Sequence, residues 1–139
     1  MAPIALSSCI YPGLPYTQVY LHRPDASTFE FVVCQATEGT TLHVEFLRND
    51  EVVIQDWSAD APDLVHFARG DRIPTDPPPS PFVSNVAWSA PDSFYAVDFE
   101  VGKYVDGNFT ADIVGGFRDD GISGTDWLDQ GGKLAPARC

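Results

Sequence analysis

The stretch FYAVDFEVGKYVDGNFTADIVGGF, residues 94–117, decides the fold class of this chain. On both sides of residues 106–108, apolar side chains alternate with polar or small ones, the period-2 pattern of strands with one buried face. Asp106, Gly107 and Asn108 are residue types that tolerate turn conformations. The sequence therefore predicts a β-hairpin that turns at these three residues.

The register of this hairpin follows from its apolar face, because a slip of one residue sends every side chain to the opposite face. A two-residue turn at residues 106–107 would place Val101 opposite Asp112. A three-residue loop at residues 106–108 instead pairs Val101 with Ile113, and also Val105 with Phe109 and Lys103 with Ala111. We predict the three-residue loop, since it keeps the apolar face continuous.

The remainder of the chain is typical of an all-β protein. No stretch keeps an apolar period of 3.6 residues, and short strand patterns recur roughly every eight to twelve residues. We predict a single domain over residues 1–139, an antiparallel β-sandwich of Greek-key or jelly-roll-like type, with a small closed barrel as the alternative. The predicted strands outside the hairpin are 17–22, 27–36, 40–47, 52–57 and 82–88, with 63–68 as a strand or one helical turn and 122–128 as a last strand.

Two segments qualify this pattern. Residues 52–57, VVIQDW, are apolar on both faces, which suggests a central strand between layers. Residues 70–81, GDRIPTDPPPSP, are proline-rich, and proline removes backbone donors and fixes φ. We therefore predict a surface loop with polyproline II character at residues 70–81.

Composition and charge limit the function classes. The chain has 139 residues, of which 44% are hydrophobic and 20% charged, the composition of a globular domain. Eight Lys and Arg against twenty Asp and Glu give a net charge of −12. Such a charge repels phosphate backbones and anionic lipids, so we expect neither nucleic acid nor membrane as a partner. The sequence leaves the oligomeric state open.

The three cysteines, Cys9, Cys34 and Cys139, leave the redox compartment open. Cys34 lies in a predicted strand, where it can serve as a small buried hydrophobe. A bridge between Cys9 and Cys139 would require an oxidising compartment, whereas three free thiols suit the cytosol. The segment LSSC at residues 6–9 resembles a lipobox, but it lacks a preceding basic region and a long apolar stretch. The localisation is open, with secretion slightly favoured.

An acidic, glycine-rich segment near the C-terminus is a candidate calcium site. Calcium takes six to eight hard oxygen ligands from flexible loops, and the candidate ligands are Asp119, Asp120, Ser123 and Asp126. The motif FRDDGISG resembles the calcium-binding stretch of a βγ-crystallin Greek key, which would imply a double-wound β-sandwich. Ala96 stands where that motif has a glycine, and no second copy occurs. A metal-free Asp/Gly turn explains the same residues.

Three further features suggest binding. Each of the three tryptophans, Trp57, Trp88 and Trp127, lies close in sequence to an acidic residue. In sugar-binding sites, an aromatic ring stacks on the sugar while nearby carboxylates accept hydrogen bonds from its hydroxyl groups. Most tryptophans, however, pack in protein cores. Arg69-Gly70-Asp71 is the tripeptide that adhesive proteins present to integrins, although it also occurs by chance. His43 and Glu45 lie on the same face of a predicted strand. This pattern suits a metal site, an acid–base pair or a solvated surface.

Three functions follow from these features. The first is a non-enzymatic binding module for carbohydrate, assisted by Ca²⁺ if the acidic segment binds it. The alternative is a protein-interaction module, such as an inhibitor, adhesin or effector, that uses the loop from Arg69 to Pro81. The third is a small β-fold enzyme, for which the sequence assigns no catalytic residue. A tryptophan in a shallow groove would favour carbohydrate binding. A projecting loop would favour a protein partner, and a deep pocket with His43 would favour an enzyme.

Overall fold

Two antiparallel five-stranded sheets pack face to face in the computed structural model, which describes residues 18–25, 27–118, 127–128 and 134–135. Sheet I has the strand order β10-β9-β1-β2-β5 and sheet II the order β6-β4-β3-β7-β8. The strands are β1 (Val19–Asp25), β2 (Thr28–Val33), β3 (Thr37–Leu47), β4 (Val53–Phe67), β5 (Arg72–Pro74), β6 (Val83–Ser84), β7 (Ala96–Val105), β8 (Asn108–Arg118), β9 (Trp127–Leu128) and β10 (Leu134–Ala135). The predicted all-β sandwich is confirmed, and the sheets do not close into a barrel.

The core forms between the two sheets because apolar residues alternate along the strands. On β7, Val97, Phe99 and Val101 are fully buried, while the intervening residues point away from the core. The ring of Phe31 on β2 stacks on Phe99 with centroids 4.1 Å apart and an interplanar angle of 9°. This contact joins the centres of the two sheets.

The β7–β8 hairpin turns over two residues rather than three. Asp106 and Gly107 both have positive φ values, 52° and 81°, as a type I′ turn requires. Val105 therefore pairs with Asn108, and the predicted three-residue loop is wrong.

The predicted pairing of Val101 with Ile113 is nevertheless correct, because a β-bulge restores it. Gly102 pairs with Ala111, so Asp112 is an extra residue on β8 without a partner of its own on β7. The side chain of Asp112 accepts hydrogen bonds from Thr37 Oγ1 at 2.6 Å and from the backbone nitrogen of Glu38 at 3.2 Å. The bulge therefore connects β8 to the beginning of β3.

The long strand β4 replaces two predicted segments. Residues 63–68 continue the strand to Phe67 rather than forming a helical turn, after a break in the β3–β4 pairing. The residues at its beginning are not a central apolar segment, since Val53 and Ile54 are 43% and 40% exposed. Trp57, Ala59 and Phe67 are the residues of β4 that enter the core.

The proline-rich segment is partly strand and partly buried, which corrects the predicted surface loop. Within it, β5 pairs with β2, and Ile73 is fully buried. Thr75 is buried too, and its hydroxyl donates to the backbone oxygen of Phe29 at 3.1 Å. Phe82 then stacks on Phe67 before β6 joins β4. The segment therefore runs from the edge of sheet I to the edge of sheet II.

Cys34 lies just after β2, is half-buried and is disulfide-bonded. The disulfide removes the alternative of three free thiols, and Cys34 is not the small buried hydrophobe that the sequence suggested. Cys9 and Cys139, and the bridge between them that the sequence left as one alternative, lie outside the described residues. Among the described residues, no helix is long and apolar enough to cross a membrane.

Candidate functional site

The tryptophans predicted to stack on sugars occupy structural positions where the structure describes them. Trp57 is 2% exposed and packs edge-to-face against Trp88 at 5.3 Å, so its ring is not accessible to a ligand. Trp88 is half-buried against the core, and its Nε1 donates to the backbone oxygen of Ser27 at 2.7 Å. The backbone of Trp127 pairs with His22 of β1, and its side chain lies outside the described residues. Trp57 thus belongs to the core.

The Arg69-Gly70-Asp71 tripeptide forms the turn between β4 and β5. All three residues are exposed, but the Asp71 carboxylate accepts a hydrogen bond from the backbone nitrogen of Ala68 at 2.8 Å. The backbone nitrogen of Gly70 donates to the oxygen of Val33 at 2.7 Å. The turn is therefore held against β2 and does not project freely.

The predicted calcium ligands Asp119, Asp120, Ser123 and Asp126 lie outside the described residues. Within the described residues, no group of three or more His, Cys, Asp and Glu side chains could hold a metal ion.

The structure instead brings one histidine and several carboxylate side chains together on the outer face of sheet II. His43 of β3 pairs with Glu100 of β7, and its Nδ1 lies 3.1 Å from Glu100 Oε1. Its Nε2 lies 3.8 Å from a carboxylate oxygen of Glu45 and 3.6 Å from one of Asp56 on β4. Asp98 completes the group, since it pairs with Glu45 from the other side. The imidazole of His43 thus lies near three carboxylates, and Asp98 adds a fourth beside Glu45.

Burial and nearby negative charge perturb one of these carboxylates. The pKa of Asp98 is raised, first by burial and then by Glu45, Glu100 and Glu51. Both causes disfavour the ionised form, because burial removes water and like charges repel. A cation or a hydrogen-bond donor placed on this face would stabilise the ionised form of Asp98.

Two aromatic rings extend this surface towards the hairpin turn. The Phe109 ring lies 6.2 Å from the His43 ring and 5.4 Å from the Tyr104 ring, measured between centroids. Gly102 leaves space for Phe109, because a Cβ atom at position 102 would approach its ring to 2.8 Å. Tyr104 is 62% exposed. We define the His43 surface as His43, Glu45, Asp56, Asp98, Glu100, Tyr104 and Phe109.

Sequence reasoning found two members of this surface and missed the others. His43 and Glu45 share a strand face in any β-strand, so their proximity is visible in the sequence. The approach of Asp56 and Glu100 depends on strand order, which places β3 between β4 and β7. The alternation of Asp98 and Glu100 with Val97 and Phe99 shows that the two carboxylates point outward. It does not show which residues of the adjacent strands lie beside them.

Among the described residues, two open pockets lie away from the His43 surface, and neither includes His43. The larger, about 290 Å³, is lined by Arg48, Asn49, Ile54, Ser93, Phe94 and Tyr95. The other, about 210 Å³, is lined by Ala36, Thr37, Glu38, His66, Phe67 and Asp112. In the second, His66 Nδ1 lies 3.1 Å from Glu38 Oε1, but both side chains are largely exposed.

Fold and surface together define a small acidic β-sandwich protein with a mixed aromatic and carboxylate face. No protein-family model, curated protein or solved structure matches the chain.

Proposed function

We propose that the chain is a non-enzymatic binding module that recognises carbohydrate through the His43 surface. The observation that carries the proposal is the exposed Tyr104 ring beside Phe109 and a row of carboxylates on one sheet face. This arrangement replaces the tryptophans in the role that the sequence suggested for them.

The aromatic part of the His43 surface suits the apolar face of a sugar ring, and its carboxylates suit the sugar hydroxyl groups. An aromatic ring offers an apolar face with a small entropy cost, since it has few rotatable bonds. An ionised carboxylate is a pure acceptor and takes hydrogen bonds from hydroxyl groups. A hydroxyl donor near Asp98 would stabilise its ionised form, which burial and, after it, the neighbouring carboxylates disfavour.

An open sheet face favours binding over catalysis. His43 and Glu100 could exchange a proton in principle, but their side chains are 23% and 26% exposed and lie on the outer surface of the sheet. Catalytic groups gain most of their electrostatic effect in sites that exclude water. The enzyme alternative therefore draws less support from this geometry.

Affinity chromatography on immobilised polysaccharides of defined composition tests the proposal. We expect the wild-type protein to be retained on at least one of them, and Tyr104→Ala to bind at least tenfold more weakly, about 1.4 kcal/mol. Tyr95→Ala is the matched control, because Tyr95 is also exposed but lines the larger pocket away from His43. Absence of wild-type retention, or equal losses in both variants, would refute the proposal.

A second candidate is a protein-interaction module that binds a cationic segment of its partner. Four carboxylates on the His43 surface and the net charge of −12 favour it. The loop from Arg69 to Pro81 contributes less than the sequence suggested, because its first half is anchored by β5 and Asp71. Salt distinguishes the candidates: oligolysine binding should weaken strongly between about 0.01 and 0.15 M salt, and sugar stacking should not.

Calcium assistance remains a proposal that a thermal melt tests. A ligand at one hundred times its Kd adds about 2.7 kcal/mol of stability. For a domain of this size, we expect a rise of several degrees in Tm in excess calcium relative to chelator. The quadruple variant D119N/D120N/S123A/D126N should abolish the difference, and identical wild-type curves would refute calcium binding.

A further inference from the structure

We propose that Asn108 is an acceptor for an N-linked glycan. Asn108-Phe109-Thr110 is the single Asn-x-Ser/Thr sequence in the chain, since Asn49 and Asn85 lack a hydroxyl residue two positions later. A modifying enzyme must reach such a sequence in an exposed segment of backbone. The inference stands independently of the proposed function.

The structure places the sequence motif where a transferase can reach it. Asn108 is the first residue after the two-residue turn, and both Asn108 and Thr110 are exposed. Within the described part of the chain, neither side chain takes part in a hydrogen bond that would have to break. Val101 is fully buried but Lys103 on the same strand face is exposed, so the tip of the hairpin extends past the core.

The disulfide at Cys34 is an independent observation that is compatible with the same compartment. Structural disulfides form and persist in oxidising environments, of which the lumen of the endoplasmic reticulum is one. N-linked glycans are added in that lumen. A chain that oxidises Cys34 in that lumen is exposed to the transferase as well.

The acceptor lies on the opposite face of the hairpin from the aromatic pair. Tyr104 pairs with Phe109, and Val105 pairs with Asn108, so the two pairs point to opposite sides because successive residues alternate. A glycan on Asn108 would cover the exposed Val105, which is 46% exposed. It would leave Tyr104 accessible.

The reaction is a glycosyl transfer from a polyprenyl-diphosphate-linked oligosaccharide. The side-chain nitrogen of Asn108 forms a bond with C1 of the first sugar, and the bond between C1 and the diphosphate oxygen breaks. The lipid diphosphate leaves with the bonding electrons, and the amide proton passes to a base of the transferase. No oxidant or reductant is involved.

Intact-mass measurement after secretion from eukaryotic cells tests the proposal, with the full chain placed behind a signal peptide. We expect a heterogeneous mass increment that peptide N-glycosidase removes, leaving an aspartate that peptide mapping locates at position 108. Asn108→Gln and Thr110→Ala should abolish the increment, whereas Thr110→Ser should retain it. Asn49→Gln is the matched control, since Asn49 is exposed but outside the motif.

Two results would overturn the proposal. One is a secreted wild-type chain with its disulfide formed and its mass unmodified. The other is a glycan increment that persists in Asn108→Gln. All the substituted residues are exposed at the surface, so the variants should fold. Comparison of their urea midpoints with that of the wild type separates loss of modification from loss of folding.

Discussion

The bulge at Asp112 gives the most informative test of how the two ends of sheet II are joined. Asp112 reaches from β8 to β3 and accepts hydrogen bonds from the Thr37 hydroxyl and the Glu38 backbone nitrogen. β7 lies between these strands, and the backbones of Gly39 and Gly102 are in close contact there. Replacing Asp112 with alanine removes both hydrogen bonds.

The expected loss follows from the burial of Thr37. Thr37 is 4% exposed, so its hydroxyl would lose a charge-assisted bond and remain without a partner, at a cost of about 1–3 kcal/mol. Asp112 itself is exposed, which places the effect near the middle of that range. We expect Asp112→Ala to lower the free energy of unfolding by about 2 kcal/mol, or Tm by about 6–10 °C.

A double-mutant cycle with Thr37→Val measures the interaction directly. Valine removes the hydroxyl that Asp112→Ala would leave unpaired, so the double variant should be more stable than the sum of the single losses predicts, by about 1 kcal/mol. Urea unfolding with an unchanged m-value is the assay. Asp63→Ala, at an exposed carboxylate of β4, is the control and should change stability by less than about 0.5 kcal/mol.

Additive losses in that cycle would refute the reasoning. They would show that the Asp112–Thr37 hydrogen bond contributes nothing beyond what each side chain does alone. A fall in stability for Asp63→Ala equal to that for Asp112→Ala would show instead that the effect is one of net charge.

Three other substitutions test separate features. The folded state binds a proton at Asp98 more tightly than the unfolded state, so this residue lowers stability as pH rises from the ordinary value of 3.8 through the raised folded pKa. Asp98→Asn should therefore be more stable than the wild type in urea at pH 7, and an equal pH dependence in both proteins would contradict this. Gly102→Ala should cost about 3 kcal/mol by overpacking, since its Cβ would contact the Thr110 oxygen and the Phe109 ring, and an unchanged urea midpoint would disprove the close packing. Phe31→Ala should cost about 3–5 kcal/mol by calorimetry through loss of the stack on Phe99, and a loss below about 1 kcal/mol would be inconsistent with its full burial.

The sequence predicted the sandwich and most of its longer strands because these depend on local alternation, whereas the predicted strand over residues 82–88 is only Val83–Ser84. The inner part of the hairpin, with Val101 opposite Ile113, was predictable from the apolar face alone. The turn was not, since the bulge that permits a two-residue turn is held by Thr37, 75 residues away from Asp112 in the chain. A distant partner of this kind leaves no trace in the local pattern.

Long-range pairing explains the other differences too. Residues 72–74 lie next to prolines and read as loop, but they form a strand because β2 offers them an open edge. The sequence suggested that Trp57 stacks on a sugar beside Asp56. Successive residues of a strand point to opposite faces of the sheet, so Trp57 is in the core while Asp56 is on the outer face. The His43 surface was visible only as one histidine and one glutamate, because strand order brings in the rest.

The path of residues 72–84 between the sheets also affects how copies of the chain could associate. At one side of the sandwich, β5 is three residues long and β6 two, and five prolines lie at positions 74, 77, 78, 79 and 81. On sheet I, a strand from another molecule would find little continuous hydrogen-bonding edge at β5, because β5 is short and proline has no backbone donor. Fibrillar growth by strand addition is therefore disfavoured at this edge of sheet I, even at high protein concentration.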